Sequence, residues 1–251
     1  LDLQDGAPEN LPTARPRRTY PVPDGGQLAL DAKLVRRTVN GQDIVMLGFN
    51  EEQPGPLIEV PQGATITVNF TNYLPIPSAI HWHGLRLDYR FDGVPGLTQP
   101  LIEHSKSFAY TLTFPDAGIY WYHPHFREDI GMDMGLYANI LVRPSDPDYF
   151  SPVNREEVIV LNDILLGSDG VVPHGKESSN FMLMGRFGNT FLINGDPDYR
   201  LQVKRGEVVR FFITNSSNTR TYNLTLDGVK MKAVGSDVGK YEREQWLENI
   251  V

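Results

Sequence analysis

Residues 64–70 have the sequence Ala-Thr-Ile-Thr-Val-Asn-Phe, in which every second residue from Ile66 onward is strongly apolar. Because side chains alternate between the two faces of a β-strand, Ile66, Val68 and Phe70 share one face, which is typical of a half-buried strand. Helical periodicity is weak throughout, so an all-β sandwich architecture is predicted. The other strand candidates have the same period or a more continuous apolar character: residues 107–114, 157–161 and 208–213.

Composition excludes several classes of protein. The chain has 251 residues, of which 40% are hydrophobic and 22% charged, so it is long enough for two globular domains. Its formal net charge of −8 makes nucleic acid an unlikely partner, and no apolar run approaches the ~20 residues that span a bilayer. Cysteine is absent, which excludes disulfides and thiolate ligands within these residues.

An internal repeat predicts two copies of one β-domain. Residues 54–72 align without a gap with residues 197–215, at a separation of 143 residues. Three residue types recur at matching positions, in the pairs Pro54/Pro197, Gly63/Gly206 and Asn72/Asn215. The alternative is that two β-hairpins share only their turn chemistry. We predict an N-terminal arm over residues 1–24, a first domain over 25–148 and a second over 149–251.

Two histidine pairs are the strongest functional signal. His81 and His83 flank Trp82, and His123 and His125 flank Pro124. Residues i and i+2 of a strand point to the same side, so each pair aims two imidazoles at one place. Imidazole suits copper, zinc, iron or nickel rather than calcium or magnesium. A single zinc site and hydrogen-bonded core histidines remain alternatives.

The repeat provides an internal comparison for these histidines. At a separation of 143 residues, His81 and His83 correspond to Leu224 and Leu226, so the second copy is expected to keep the strand and fill that face with leucine. His104 is interpreted as part of a polar turn and His174 as part of a loop. The paired methionines are predicted to pack in cores rather than to bind Cu(I), namely Met132, Met134, Met182 and Met184.

Three segments together resemble the N-terminal copper motifs of laccase-type multicopper oxidases: residues 81–85, 92–99 and 118–125. Residues 54–58 also resemble that family's first domain and residues 150–251 its second. The resemblance implies tandem cupredoxin-like Greek-key β-sandwiches and a trinuclear copper cluster between the first and third domains. It assigns His81 to the type 2 copper, His83 and His123 to one type 3 copper, and His125 to the other.

The resemblance also implies a reaction and a location. One-electron oxidations of a small-molecule or metal-ion reductant would be coupled to four-electron reduction of dioxygen to water, and the protein would be periplasmic or extracellular. Asp92 is the candidate proton relay, with a simple turn aspartate as the alternative. Glu128 and Asp129 are weaker candidates for outer-sphere contacts.

The chain departs from the family pattern in one respect. The type 1 copper site needs a cysteine in the third domain, and this chain has no cysteine and ends at Val251. Residues 246–250 are interpreted as the start of a strand, so the second sandwich is predicted to be incomplete at its C-terminus. We expect a further segment with a third cupredoxin domain, without which this chain is inactive. The alternatives are a non-catalytic two-domain copper-binding module and a scaffold that has lost the metal.

Overall fold

The structure is a computed structural model that describes residues 8–175, 178–236 and 239–251. Residues 1–7 of the predicted arm therefore lie outside the described residues. The described N-terminal part contains two 3-10 helices, at Pro8–Asn10 and Tyr89–Phe91, one short α-helix and nine strands. In chain order the strands and the α-helix are β1 (Thr19–Pro21), β2 (Gln27–Val39), β3 (Gln42–Phe49), β4 (Leu57–Pro61), β5 (Thr65–Asn72), β6 (Ile80–His83), β7 (Lys106–Thr113), β8 (Gly118–Pro124), α1 (Glu128–Asp133) and β9 (Ala138–Arg143).

These strands form two sheets, which we call the N-terminal sandwich. One sheet has the order β3-β2-β5-β7 and the other β1-β4-β9-β8-β6. In β5, Ile66, Val68 and Phe70 are all buried, as the period-two pattern predicts, and they join one apolar core with residues from both sheets. The predicted sandwich is confirmed for this part of the chain. Strand β1 lies within the predicted N-terminal arm, yet it pairs with β4 and therefore belongs to the sandwich.

The chain from residue 149 onward, called here the C-terminal unit, contains smaller sheets. Its elements are β10 (Arg155–Ile164), β11 (Leu166–Gly167), β12 (Gly170–Val171), α2 (Ser178–Met184), β13 (Thr190–Ile193), β14 (Val209–Asn215), β15 (Met231–Ser236) and β16 (Gly239–Leu247). The main sheet has the order β13-β10-β14, and two hairpins, β11-β12 and β15-β16, stand apart from it. Both strand candidates predicted in this region lie at β10 and β14.

The sequence repeat has a structural counterpart. In β3-β2-β5, as in β13-β10-β14, the middle strand pairs antiparallel with the first strand and parallel with the last. Gly63 and Gly206 both adopt left-handed conformations, with φ of +85° and +84°. Asn72 and Asn215 each accept a hydrogen bond from the main-chain nitrogen two residues later, at 3.0 Å in both cases.

Two details of the C-terminal unit differ from the sequence prediction. Leu224 forms only an isolated bridge with Ile250, and Leu226 is exposed, so neither lies in a strand equivalent to β6. Residues 246–250 were expected to begin a strand, but β16 ends at Leu247. Strand β16 already begins at Gly239, where its antiparallel pairing with β15 starts. Residues 246–250 therefore contain the end of a strand and not its beginning.

The C-terminal unit packs on the N-terminal sandwich through apolar and polar contacts. One apolar cluster joins β2 and β3 to Ile164, Val171 and Leu192. A second joins Leu57 and Leu141 to β10 and β14. None of the helices among the described residues has the length and apolar character needed to cross a membrane.

Candidate metal centre

Strands β6 and β8 bring the two histidine pairs face to face. They pair antiparallel with His81 opposite His123 and His83 opposite Trp121. His125 follows the end of β8, and its main-chain nitrogen donates to the oxygen of Ala79 at 2.9 Å, which extends the same alignment. Directly opposed residues on one face of an antiparallel pair lie close together, so this register places all four imidazoles on one side of the sheet.

The four imidazole rings form a compact group. The ring centroid of His81 lies 5.4 Å from those of His83 and His123 and 5.1 Å from that of His125. The centroids of His83 and His123 are 5.6 Å apart, and those of His123 and His125 are 6.4 Å apart. One ligand atom from each of His81, His83 and His123 lies within 4.8 Å of the other two.

Hydrogen bonds from Nδ1 orient two of the rings, those of His81 and His123. Nδ1 of His81 lies 2.7 Å from the main-chain oxygen of Asp92, and Nδ1 of His123 lies 3.0 Å from that of Pro124. A carbonyl oxygen can only accept, so both Nδ1 atoms donate and leave the Nε2 lone pairs for a metal. Nδ1 of His125 lies 3.4 Å from Oε1 of Glu128, which favours the same arrangement. The Nδ1 atom of His83 instead faces Nε2 of His123 at 3.4 Å.

Burial keeps His123 in the form that binds metals. The residue is only 3% exposed, and this burial, with a smaller contribution from the other three histidines, lowers its pKa to about 3. The neutral imidazole therefore persists at physiological pH. Trp121 stacks on it, with ring centroids 4.3 Å apart and an interplanar angle of 29°. His83 is exposed, so the group opens to the surface of the described chain.

The loop that carries Asp92 approaches the histidines very closely. A Cβ added to Gly93, whose φ is +78°, would lie 1.8 Å from the main-chain oxygen of Ile80, so no larger residue fits there without moving the loop. Oδ1 of Asp92 lies 3.5 Å from Nδ1 of His81, and the Asp92 side chain is 36% exposed. The Asp92 carboxylate thus lies near one histidine of the group and also reaches water.

The other candidates have different surroundings. Glu128 contacts His125, but Asp129 pairs with Arg127, whose side chain donates to it at 2.8 and 2.9 Å. His104 lies in a turn, as predicted, and its Nδ1 is 3.1 Å from the oxygen of Leu74.

The prediction that the methionines pack in cores is confirmed for Met134, which belongs to the apolar core of the N-terminal sandwich. Met134 is 1% exposed and Met132 is partly buried, whereas Met182 and Met184 are 86% and 71% exposed. The core prediction is therefore wrong for these last two residues, which lie on α2 with their side chains away from the apolar clusters.

One group of polar residues in contact was not predicted from the sequence. His174, interpreted as an ordinary loop residue, places Nε2 3.1 Å from Oδ2 of Asp133, and Nε of Arg186 donates to the same oxygen at 2.7 Å. The three residues lie far apart in the chain, and no motif joins them. Asp133 offered the only signal, since it is a lone charge in the apolar segment from Ile130 onward.

Comparison with known proteins identifies the relatives of this chain. Residues 32–147 match the family model described as "Multicopper oxidase". The multicopper oxidase MmcO of Mycobacterium tuberculosis is 28% identical over 236 residues, which cover 80% of this chain and 45% of MmcO. Copper resistance protein A of Escherichia coli is 34% identical over 125 residues, which cover 50% of this chain and 20% of that protein.

A solved structure gives the same result for the fold. The crystal structure of a multicopper oxidase from Pseudomonas thermotolerans superposes with a TM-score of 0.78 and 28% sequence identity, and the match covers 94% of this chain and 56% of that one. This chain therefore spans about half the length of MmcO and of the Pseudomonas thermotolerans oxidase.

Proposed function

Because this chain belongs to the laccase-like multicopper oxidases, we propose that it provides the N-terminal half of a trinuclear copper site that reduces dioxygen to water. The reaction would take single electrons from a small-molecule or metal-ion reductant. The observation that carries the proposal is the pairing of β6 with β8, which gathers His81, His83, His123 and His125 on one face.

The donor set fits copper. Four imidazoles suit copper and zinc better than hard cations, and Nδ1 of three of the rings has a contact outside the group. Following the family assignment, His81 would hold the type 2 copper, His83 and His123 one type 3 copper, and His125 the other. Bound copper would supply the one-electron redox chemistry that amino-acid side chains lack.

The chain's own residues would orient the rings and move protons. The main-chain oxygen of Asp92 holds Nδ1 of His81, while its partly exposed carboxylate lies 3.5 Å from the same atom. Reduction of dioxygen to water consumes four protons, so a carboxylate between water and the site is suited to relay them. Trp121 would restrict rotation of the His123 ring through stacking.

The complete site requires residues from another segment. We propose a C-terminal segment that completes the second sandwich and contributes a third cupredoxin-like domain with four further histidines and the type 1 cysteine. The exposed His83 leaves the group open on the side from which such ligands would approach. We also propose, by family resemblance, that the protein functions in the periplasm or outside the cell.

A variant series in the complete protein tests the proposal. His81→Gln, His123→Gln and a His104→Gln control would each be loaded with copper, and bound copper and oxygen consumption would be measured. We expect the first two variants to lose cluster copper and oxygen consumption, whereas the control keeps both. Full activity in the His123 variant would contradict the proposal.

The same experiment separates the proposed oxidase from a non-catalytic copper-binding module. A module would bind copper through the same histidines but would consume no oxygen when a reductant such as a phenol, an aromatic amine, Fe(II) or Cu(I) is supplied. A zinc protein would likewise consume no oxygen with these reductants, because zinc has no redox chemistry.

A further inference from the structure

Helix α1 lies directly against the residue between two of the candidate ligands. A Cβ added to Gly131 of this helix would lie 2.4 Å from Cγ of Pro124, which separates His123 from His125. The helix and the proline therefore pack with no space for a methyl group, and a shift of the helix is transmitted to both histidines. At the start of the same helix, Glu128 lies 3.4 Å from Nδ1 of His125.

The helix cannot maintain this position by itself. It has only six residues, and isolated helices shorter than about 12 residues are marginal in water. It begins after Arg127, which adopts a left-handed conformation with φ of 48° and provides no side-chain cap. Its position must therefore be fixed by tertiary contacts. These include the burial of Ile130 in the apolar core and the hydrogen bond from the main-chain nitrogen of Leu47 to the oxygen of Met134 at 2.7 Å.

The C-terminal unit provides a further contact, at the C-terminal end of the helix. Asp133, the last residue of α1, is 4% exposed, and its Oδ2 accepts from Nε of Arg186 at 2.7 Å and lies 3.1 Å from Nε2 of His174. A negative charge at the C-terminal end of a helix is unfavourable, and burial adds a desolvation cost. Asp133 is therefore stable in this place because two residues of the C-terminal unit hold its carboxylate.

Arg186 is itself fixed at several points. Its main-chain nitrogen donates to Oγ1 of Thr219 at 3.0 Å, its Nη2 donates to the oxygen of Val172, and its guanidinium lies 4.9 Å from the ring centroid of Phe181. The side chain is only 5% exposed. The guanidinium is thus a rigid anchor that belongs to the C-terminal unit and reaches the end of α1.

We infer that Asp133, His174 and Arg186 are positioning residues for the copper site. They fix α1 against Pro124, and through it they set the orientation of His123 and His125. The inference rests on the proposed copper-binding function. It gives the C-terminal unit a part in the site even though none of its residues lies among the four imidazoles.

The test uses the complete copper-loaded protein and three variants. Asp133→Asn keeps the shape of the side chain but removes its charge, and Gly131→Ala pushes directly on Pro124. Asp198→Asn is the control, since it makes the same change in an exposed ion pair with Arg200. Copper affinity would be measured by competition with a chelator, and the copper environment by electron paramagnetic resonance, with the melting temperature of the metal-free form measured separately.

We expect Asp133→Asn and Gly131→Ala to weaken copper binding about tenfold, as loss of outer-sphere support does elsewhere, and to alter the resonance spectrum. Asp198→Asn should leave both properties unchanged. Wild-type affinity and spectrum in the Asp133 and Gly131 variants would overturn the inference, even if their melting temperatures fall. The proposed function would still stand in that case, provided that the wild-type protein binds copper.

Misfolding of Asp133→Asn would not prevent the test. The double variant Asp133→Leu/Arg186→Met replaces the ion pair with apolar side chains, an exchange that proteins often tolerate without loss of stability. It should fold and yet show the same weakened copper binding, because it lacks the directional contact between helix and anchor. A folded double variant with wild-type copper affinity and spectrum would overturn the inference.

Discussion

The main-chain oxygen of Asp92 lies 2.7 Å from Nδ1 of His81, while the Asp92 carboxylate oxygen lies 3.5 Å from the same nitrogen. One residue thus contacts the ring through two groups with different consequences. The main-chain contact survives any substitution of the side chain, so it fixes the ring orientation independently of the carboxylate. The carboxylate can therefore be altered to test proton transfer alone.

We expect Asp92→Asn to slow oxygen reduction in the complete protein without loss of copper. The amide is nearly the same size but cannot act as a general acid or base near neutral pH, and general acid–base catalysis contributes about 100-fold or more to many reactions. Turnover would be measured at saturating reductant and oxygen, and reduction of the type 1 copper would be followed without oxygen. Unchanged turnover would remove Asp92 from the mechanism, and slower reduction of the type 1 copper would indicate a more general defect.

We expect Gly93 to tolerate no side chain, whereas Gly96, which has nearly the same backbone conformation, should accept one. Both Gly93 and Gly96 have positive φ, at +78° and +76°. A Cβ added to Gly93 would collide with the main-chain oxygen of Ile80, whereas a Cβ added to Gly96 would have no atom within 4 Å beyond its chain neighbours. Gly96→Ala is expected to cost about 1 kcal/mol of stability through left-handed strain.

Gly93→Ala should cost more than Gly96→Ala and should also weaken copper binding, because the displaced loop withdraws the Asp92 oxygen from His81. Chemical denaturation and copper titration of both variants measure the two effects. Equal stability and equal copper affinity would show that the close approach at Gly93 is unimportant.

Glu128 and Asp129 form a matched pair of adjacent carboxylates. Glu128 lies near His125, whereas Asp129 pairs with Arg127. We expect Glu128→Gln to weaken copper affinity by up to about tenfold, because the loss of a carboxylate at Nδ1 lowers the basicity of the imidazole. Asp129→Asn should leave it near the wild-type value. The reverse order would mean that the contact to His125 has no effect on the metal.

The stability of the metal-free protein should depend on pH through His123. Burial lowers its folded-state pKa to about 3, whereas an unfolded histidine titrates near 6.5. Between these values the unfolded chain binds a proton that the folded chain does not bind. Stability from this residue is therefore fully present above about pH 6.5 and is lost as pH falls towards 3.

Its contribution to the slope approaches about 1.4 kcal/mol per pH unit in the middle of this range. Chemical denaturation of wild type and His123→Gln at a series of pH values isolates that contribution from the carboxylates that titrate in the same range. Parallel stability curves for the two proteins would show that His123 is not buried in its neutral form.

The local patterns in the sequence predicted the elements that build the site. Period two in residues 64–70 gave β5 with its buried face, and the His-x-His spacing predicted that each pair shares a side. The repeat predicted equivalent turns at Gly63 and Gly206, which have almost the same φ. These features depend on residues close together in the chain, so a single sequence carries them.

Features that depend on tertiary contacts were not predictable in this way. The buried position of His174 results from Asp133 and Arg186, which are distant in sequence, and its proline-flanked loop gave no sign of them. The exposure of Met182 and Met184 depends on which face of α2 packs inward, and a seven-residue helix shows too little periodicity to define that face. The end of β16 depends on its pairing with β15.

The most direct test of the central claim is a crystal structure of the complete, copper-loaded protein with anomalous diffraction measured at the copper absorption edge. We predict copper peaks about 2 Å from ring nitrogens of His81, His83, His123 and His125. Ligands from another segment should complete the coordination. Copper peaks elsewhere in the molecule, with these four imidazoles free of metal, would contradict the account.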